Sequence, residues 1–118
     1  MNSVNLTARL AAEPKVRGSD PDRPVAVLRL AIPRRSGEAA FVNAVCFEGQ
    51  ARSALEHLHT GRRVGVSGRL HQRVWTDAAG QRRERHEVLV ERLEFLDRPA
   101  GDGNGNAGAD DELAASGV

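Results

Sequence analysis

The chain has 118 residues, with 17 basic and 16 acidic side chains for a net charge of +1. That length suits one domain with a single core. No apolar run approaches the roughly 20 residues that span a bilayer, and a lone cysteine, Cys46, excludes an internal disulfide framework and a Cys-cluster metal site. The near-neutral total hides an asymmetry. Residues 1–98 hold all 17 bases against 12 acids, a balance of +5, while residues 99–118 hold four acids and no base. The bases are 16 arginines and Lys15. A planar guanidinium suits phosphate forks and base stacking; a GC-rich genome would give the same bias. Residues 1–9 are polar and strand-like, without a basic-then-apolar signal segment, so a reducing, cytoplasmic setting is expected.

Residues 4–10 suit a first strand, broken by Pro14. Residues 25–32 suit a second, closed by Pro33, and 34–38 form a polar loop with Gly37. Residues 41–47 suit a third strand. The period then changes: Ala51, Ala54, Leu55 and Leu58 recur at three and four, the apolar stripe of a helix over 49–60, with Gly61 as its stop. Residues 63–75 form a long strand, bent at Gly65 or Gly68. A turn over 76–80 leads to the last strand, 81–96, with Val88 and Val90 on one face. Three strands, one helix and two strands is the order of an all-β, five-stranded oligonucleotide-binding (OB) Greek-key barrel. Residues 99–118, rich in Gly, Asn, Ala and Asp, read as a disordered acidic tail.

Strand side chains alternate between two faces. In the third strand Val42, Ala44 and Cys46 suit a barrel interior, which turns Phe41, Asn43, Val45 and Phe47 outward. A register shifted by one would bury Phe41 and Phe47 instead. In the fourth strand Val64, Val66, Gly68 and Leu70 make the apolar face, and Arg69, His71, Arg73 and Trp75 the other. A tryptophan in line with two arginines and a histidine suits a base stacked between phosphate contacts. Phe95 reads as packing, and Arg82, Arg83 and Arg85 as either phosphate contacts or a solvated edge that blunts aggregation. Cys46 reads as an inert buried thiol. His57 and His59, two apart on the expected helix, do not share a face and make a poor metal pair. No Ser-His-Asp grouping, carboxylate pair in a marked cleft or phosphate loop with a following lysine is present. No catalytic residue, metal or cofactor is therefore expected.

Four stretches, in order, carry a family resemblance: residues 1–17; Gly61-Arg62-Arg63-Val64-Gly65-Val66-Ser67-Gly68-Arg69-Leu70; Arg73-Val74-Trp75-Thr76-Asp77-Ala78-Ala79-Gly80; and Glu87-Val88-Leu89-Val90-Glu91. Over nearly all of residues 1–97 the chain resembles bacterial single-stranded-DNA-binding proteins of the tetrameric, OB-barrel type. The resemblance implies sequence-independent binding of single-stranded DNA in replication, recombination and repair, in the cytoplasm at the nucleoid, by a homotetramer or a dimer. It implies base stacking on Phe41, Phe47 and Trp75. Arg73, His71, Arg69, Asn43 and Arg17 are expected beside them. The aromatic that the family often carries after the second strand is absent near Arg35-Ser36, where Arg34 or Arg35 can stack in its place. The acidic Asp110-Asp111-Glu112 is not followed by the terminal Pro-Phe through which the family docks replication and repair proteins, so that docking is not carried over. This fits a tail-reduced or accessory version. The rival expectation is a protein-interaction or replication-restart module on the same barrel, marked by an exposed apolar patch away from Phe41, Phe47 and Trp75.

Overall fold

The computed structural model describes residues 1–96, and the tail expected over 99–118 lies outside them. The elements are β1 (Val4–Leu10), β2 (Lys15–Arg17), β3 (Val25–Ile32), β4 (Ala40–Phe47), α1 (Glu48–His57), β5 (Arg63–Thr76) and β6 (Arg82–Phe95). The sheet order is β1-β5-β6-β4-β3-β2. A further pairing of β1 with β3, at Arg9↔Ala31 and Leu10↔Leu30, closes β1, β5, β6, β4 and β3 on themselves. Only β4 and β6 run parallel; the other pairs are antiparallel. This is the expected five-stranded OB barrel, with β2 as a short extra strand on β3.

Period-two alternation explains the core. Leu10, Ala26, Leu28, Leu30, Ala44, Cys46, Val64, Val66, Val88 and Val90 point inward and are buried. No aromatic joins this core cluster among the described residues. Small and branched aliphatics fill a narrow barrel, so every aromatic is left outside or at its ends. The thiol of Cys46 is pushed up to about 12 by burial, which makes it a packing residue rather than a nucleophile.

The helix differs from the expectation at both ends. It starts at Glu48, directly after β4, and stops at His57 rather than running to Thr60. Ala51 and Ala54 are its buried face; Leu58 is buried too, but in an extended conformation just past the helix. Glu48 takes φ 52°, a left-handed conformation costly for any residue but glycine, and its N–H donates to the Pro24 carbonyl at 2.8 Å. His59 is thus not helical. Its Nδ1 lies 2.9 Å from Glu13 of the β1–β2 loop, and the Thr60 hydroxyl and N–H also donate to that carboxylate. With His59 as the main cause, these bonds hold the Glu13 carboxyl at about 2.

Of the two glycines expected to bend β5, Gly68 is the one that matters. The register slips there: Ser67 faces Arg92 while Gly68 faces Val90, which leaves Glu91 as the extra residue of a bulge. A Cβ at Gly68 would run into the Leu89 carbonyl, whereas Gly65 has ordinary room. Leu70, expected on the core face, is instead 47% exposed. Past Gly68, β5 leaves the barrel wall, and the inward side has no wall opposite it.

Candidate nucleic-acid interface

The outer faces of β3, β4, β6 and β5 form one surface. Its central row crosses four strands: Arg29 pairs with Asn43, Asn43 with Glu87, and Glu87 with His71. The row beside it runs Val27, Val45, Leu89 and Arg69. Phe41 and Phe47 flank these rows on β4, six residues or about 20 Å apart. They are 53% and 44% exposed, so the register is the one that turns both rings outward. Val45, on the same face, is buried without joining the core cluster. Arg73 and Trp75 continue the β5 side of the surface onto the β5–β6 hairpin.

Two rings carry a cation. The Arg29 guanidinium lies 5.1 Å from the Phe41 centroid, and that of Arg73 lies 4.3 Å from the Trp75 centroid. Arg29 also donates to Asn43 Oδ1 at 3.2 Å. Arg29 was not among the expected contacts, although a charge interrupting the apolar run of residues 25–32 is the signal that marks it. It stands on the outer face, directly opposite Asn43.

Arg17, among the expected phosphate contacts, is already engaged. Its two terminal nitrogens bind the two carboxylate oxygens of Glu87 at 3.1 and 2.6 Å, linking β2 to a strand that is not its neighbour in the sheet. Glu87 is 1% exposed. The hydrogen bonds from Arg17 outweigh the upward push of burial and hold its carboxyl below the usual range, with Arg73 and His71 adding to the same direction. Arg69 lies 3.8 Å from Glu91, too long for a tight pair. Arg34 folds back on its own loop, Nε donating to the Glu38 carbonyl at 3.0 Å, while Arg35 is exposed. At the hairpin tip Asp77 accepts from the N–H groups of Ala79 and Gln81 and from Arg83 at 2.8 Å. Arg83 is the main reason the Asp77 carboxyl lies below its ordinary value. Of the arginines after the turn, Arg83 is therefore a structural contact. Phe95 is 42% exposed at the barrel end, edge-on to His57 at 6.4 Å between centroids, so it packs only partly.

No group of three or more His, Cys, Asp or Glu is placed to hold a metal among the described residues. No helix there is long and apolar enough to cross a membrane. What the surface presents is outward aromatics interleaved with arginines on a barrel face. The sequence pattern of the Single-strand binding protein family matches residues 1–96. The chain belongs to that family. Among curated relatives, this family member is 36% identical over 114 residues to "Single-stranded DNA-binding protein A" of Bacillus subtilis, an overlap of 92% of this chain and 66% of the relative. It is 33% identical over 113 residues to the "Single-stranded DNA-binding protein" of Caldanaerobacter subterraneus subsp. tengcongensis, covering 91% and 75%. It is also 33% identical over 119 residues to "Single-stranded DNA-binding protein 3" of Clostridium acetobutylicum, covering 96% and 81%. The family member thus spans about two-thirds to four-fifths of the length of these relatives.

Proposed function

We propose that the chain binds single-stranded DNA without sequence preference and without catalysis or a cofactor, in replication, recombination and repair in the cytoplasm. The observation that carries this is the outward placement of Phe41 and Phe47 on one strand face, continued by the Arg73–Trp75 pair. Unpaired bases stack on such rings at about 1–3 kcal/mol each, and every base has a π-face, so stacking tolerates any sequence. Arg69, Arg73, His71, Arg34 and Arg35 supply the cationic track, with Asn43 between the rings. Arg17 serves by fixing β2 through Glu87. Trp75 is the sole tryptophan, so its emission reports the event directly. Adding oligo(dT) should quench it strongly and a duplex of equal length should not; equal responses, or none, reject the proposal.

A homotetramer is the assembly that goes with this reading. β1 pairs with β5 over Val4–Arg9 but with β3 only at Arg9 and Leu10, which leaves an open edge over Val4–Ala8 for a second copy. Leu70 and Val74, each 47% exposed, lie on the side of the hairpin away from Trp75. They also favour the second reading, a protein-docking module. Light scattering with and without oligo(dT) separates the two. Loss of subunits in Leu70→Ser/Val74→Ser assigns the patch to self-association, and an unchanged oligomer assigns it to another protein.

A further inference from the structure

Two of the three rings on the candidate surface are already covered in the free protein. Arg29 lies over Phe41 and Arg73 over Trp75. Neither guanidinium has a carboxylate within ion-pair distance among the described residues, since Arg29 is otherwise held only by the neutral Asn43 amide. The carboxylate that feels the Arg73 charge, Glu87, is already paired with Arg17, so each cation is kept close to the surface without a tight counter-ion. A base that stacks on the covered ring face must move it aside.

We infer that Arg29 and Arg73 are parked cations. A base stacking on Phe41 or Trp75 displaces the guanidinium, and the released charge closes on a phosphate of the same strand. This rests on the single-stranded-DNA reading and adds Arg29 to the residues that carry it. The exchange is feasible because the resting contact is weak: an exposed cation–π contact is worth only about a two- to five-fold factor. Phosphate offers the same cation a full opposite charge and a fork-shaped acceptor. Stacking and counterion release then become one coupled event.

The coupling predicts a change of sign with salt. At low salt Arg29→Gln loses a phosphate contact, so affinity falls, and the slope of log affinity against log salt flattens by about 0.7. At high salt the phosphate contact is screened and the substitution removes only a competitor for the ring. Affinity should then rise about two- to five-fold above the parent chain. The two salt curves cross. Arg73→Gln should behave alike, and in a Phe41→Leu background Arg29→Gln should keep the flatter slope but lose the high-salt gain.

The test is anisotropy of end-labelled oligo(dT) titrated with the full chain and these variants across salt. Crossing curves support the exchange. Weaker binding by Arg29→Gln at every salt concentration overturns it and shows a guanidinium that stays on the base or ring. Unchanged binding at all salts overturns it by removing Arg29 from the interface. Absence of binding by the parent chain rejects the function itself, an outcome distinct from both.

Discussion

β5 and β6 form one continuous antiparallel pair, yet its two halves are built differently. In the barrel half, Val64, Val66 and Gly68 face a packed core. In the distal half, Leu70 and Val74 continue the same alternation and face solvent. Neighbours make the difference: β1 pairs with β5 only as far as Gly68, and β4 pairs with β6 only from Glu87. Beyond those points the hairpin stands as two strands, an arrangement of marginal stability by itself. Local contacts hold it: Asp77 at the tip, Gln72 to Glu84 at 2.8 Å, and Asn2, whose side chain clasps both backbone groups of Leu70. An apolar alternation therefore marks a core only where strands on both sides continue the wall. The barrel carries the stability, and the hairpin carries one of the three rings.

The largest effect should come from the junction. Gly68→Ala forces a methyl group against the Leu89 carbonyl, where backbone must give way, at a cost of about 3 kcal/mol. Gly80→Ala, at φ 80° in the hairpin tip with open space around it, should cost only about 1 kcal/mol. Urea midpoints of the two variants measure the contrast directly, and equal losses would break the division between barrel and hairpin.

Next comes the Arg17–Glu87 pair, whose carboxylate is buried and whose guanidinium is 31% exposed. Arg17→Ala leaves the buried Glu87 anion without its partner, and about 2 kcal/mol should be lost at neutral pH. Glu87 has a depressed value in the folded chain, so its contribution is present above the ordinary carboxylate value of about 4 and is lost as pH falls below that toward the depressed folded value. Without Arg17, the upward push of burial is opposed only by the charges of Arg73 and His71, so the value rises above that of the parent chain. The deficit of Arg17→Ala should accordingly shrink toward acid, and denaturation curves from pH 7 to pH 4 check the sign.

Trp75→Ala should reverse the pattern. Affinity for oligo(dT) should drop by about 1–3 kcal/mol, with under about 1 kcal/mol lost in stability. A variant that unfolds while its folded fraction binds normally would make Trp75 a packing residue. The smallest effect is a gain: Glu48→Gly relieves the left-handed backbone at the start of α1 and should stabilise the chain by about 1 kcal/mol. No rise in melting temperature would mean that the Glu48 side chain contributes something that offsets the strain.

The strand order and the outward rings were legible because alternation and a change to helical period are long-range patterns in the chain. What escaped was set by pairing or by single residues. β2, with three residues between Pro14 and Gly18, is too short to show a period and exists through its bonds to β3. Leu70 reads as core because nothing in its local sequence tells where the neighbouring strands stop. The helix end at His57 was hidden because Leu58 keeps the apolar spacing while leaving the helical conformation. Arg17 looked open because its partner stands 70 residues away in sequence. Arg29 carried no expectation, because its place opposite Asn43 and over Phe41 is set by strand pairing.

The closure of β1 on β3 rests on two facing residue pairs, Arg9↔Ala31 and Leu10↔Leu30, while every other seam of the closed wall is longer. Around it run a few backbone bonds, Ala11 N–H to the Arg29 carbonyl at 2.8 Å and Gly61 N–H to the Leu10 carbonyl at 2.8 Å. A ring of strands opens where the fewest bonds must break together, so this seam has the lowest opening free energy of the wall and opens most often. Amides of Ala11 and Ala31 should exchange with deuterium ahead of those of Ala44 and Val66. The barrel thus has a weakest staple, and β3, which bears Arg29, is one of its two edges.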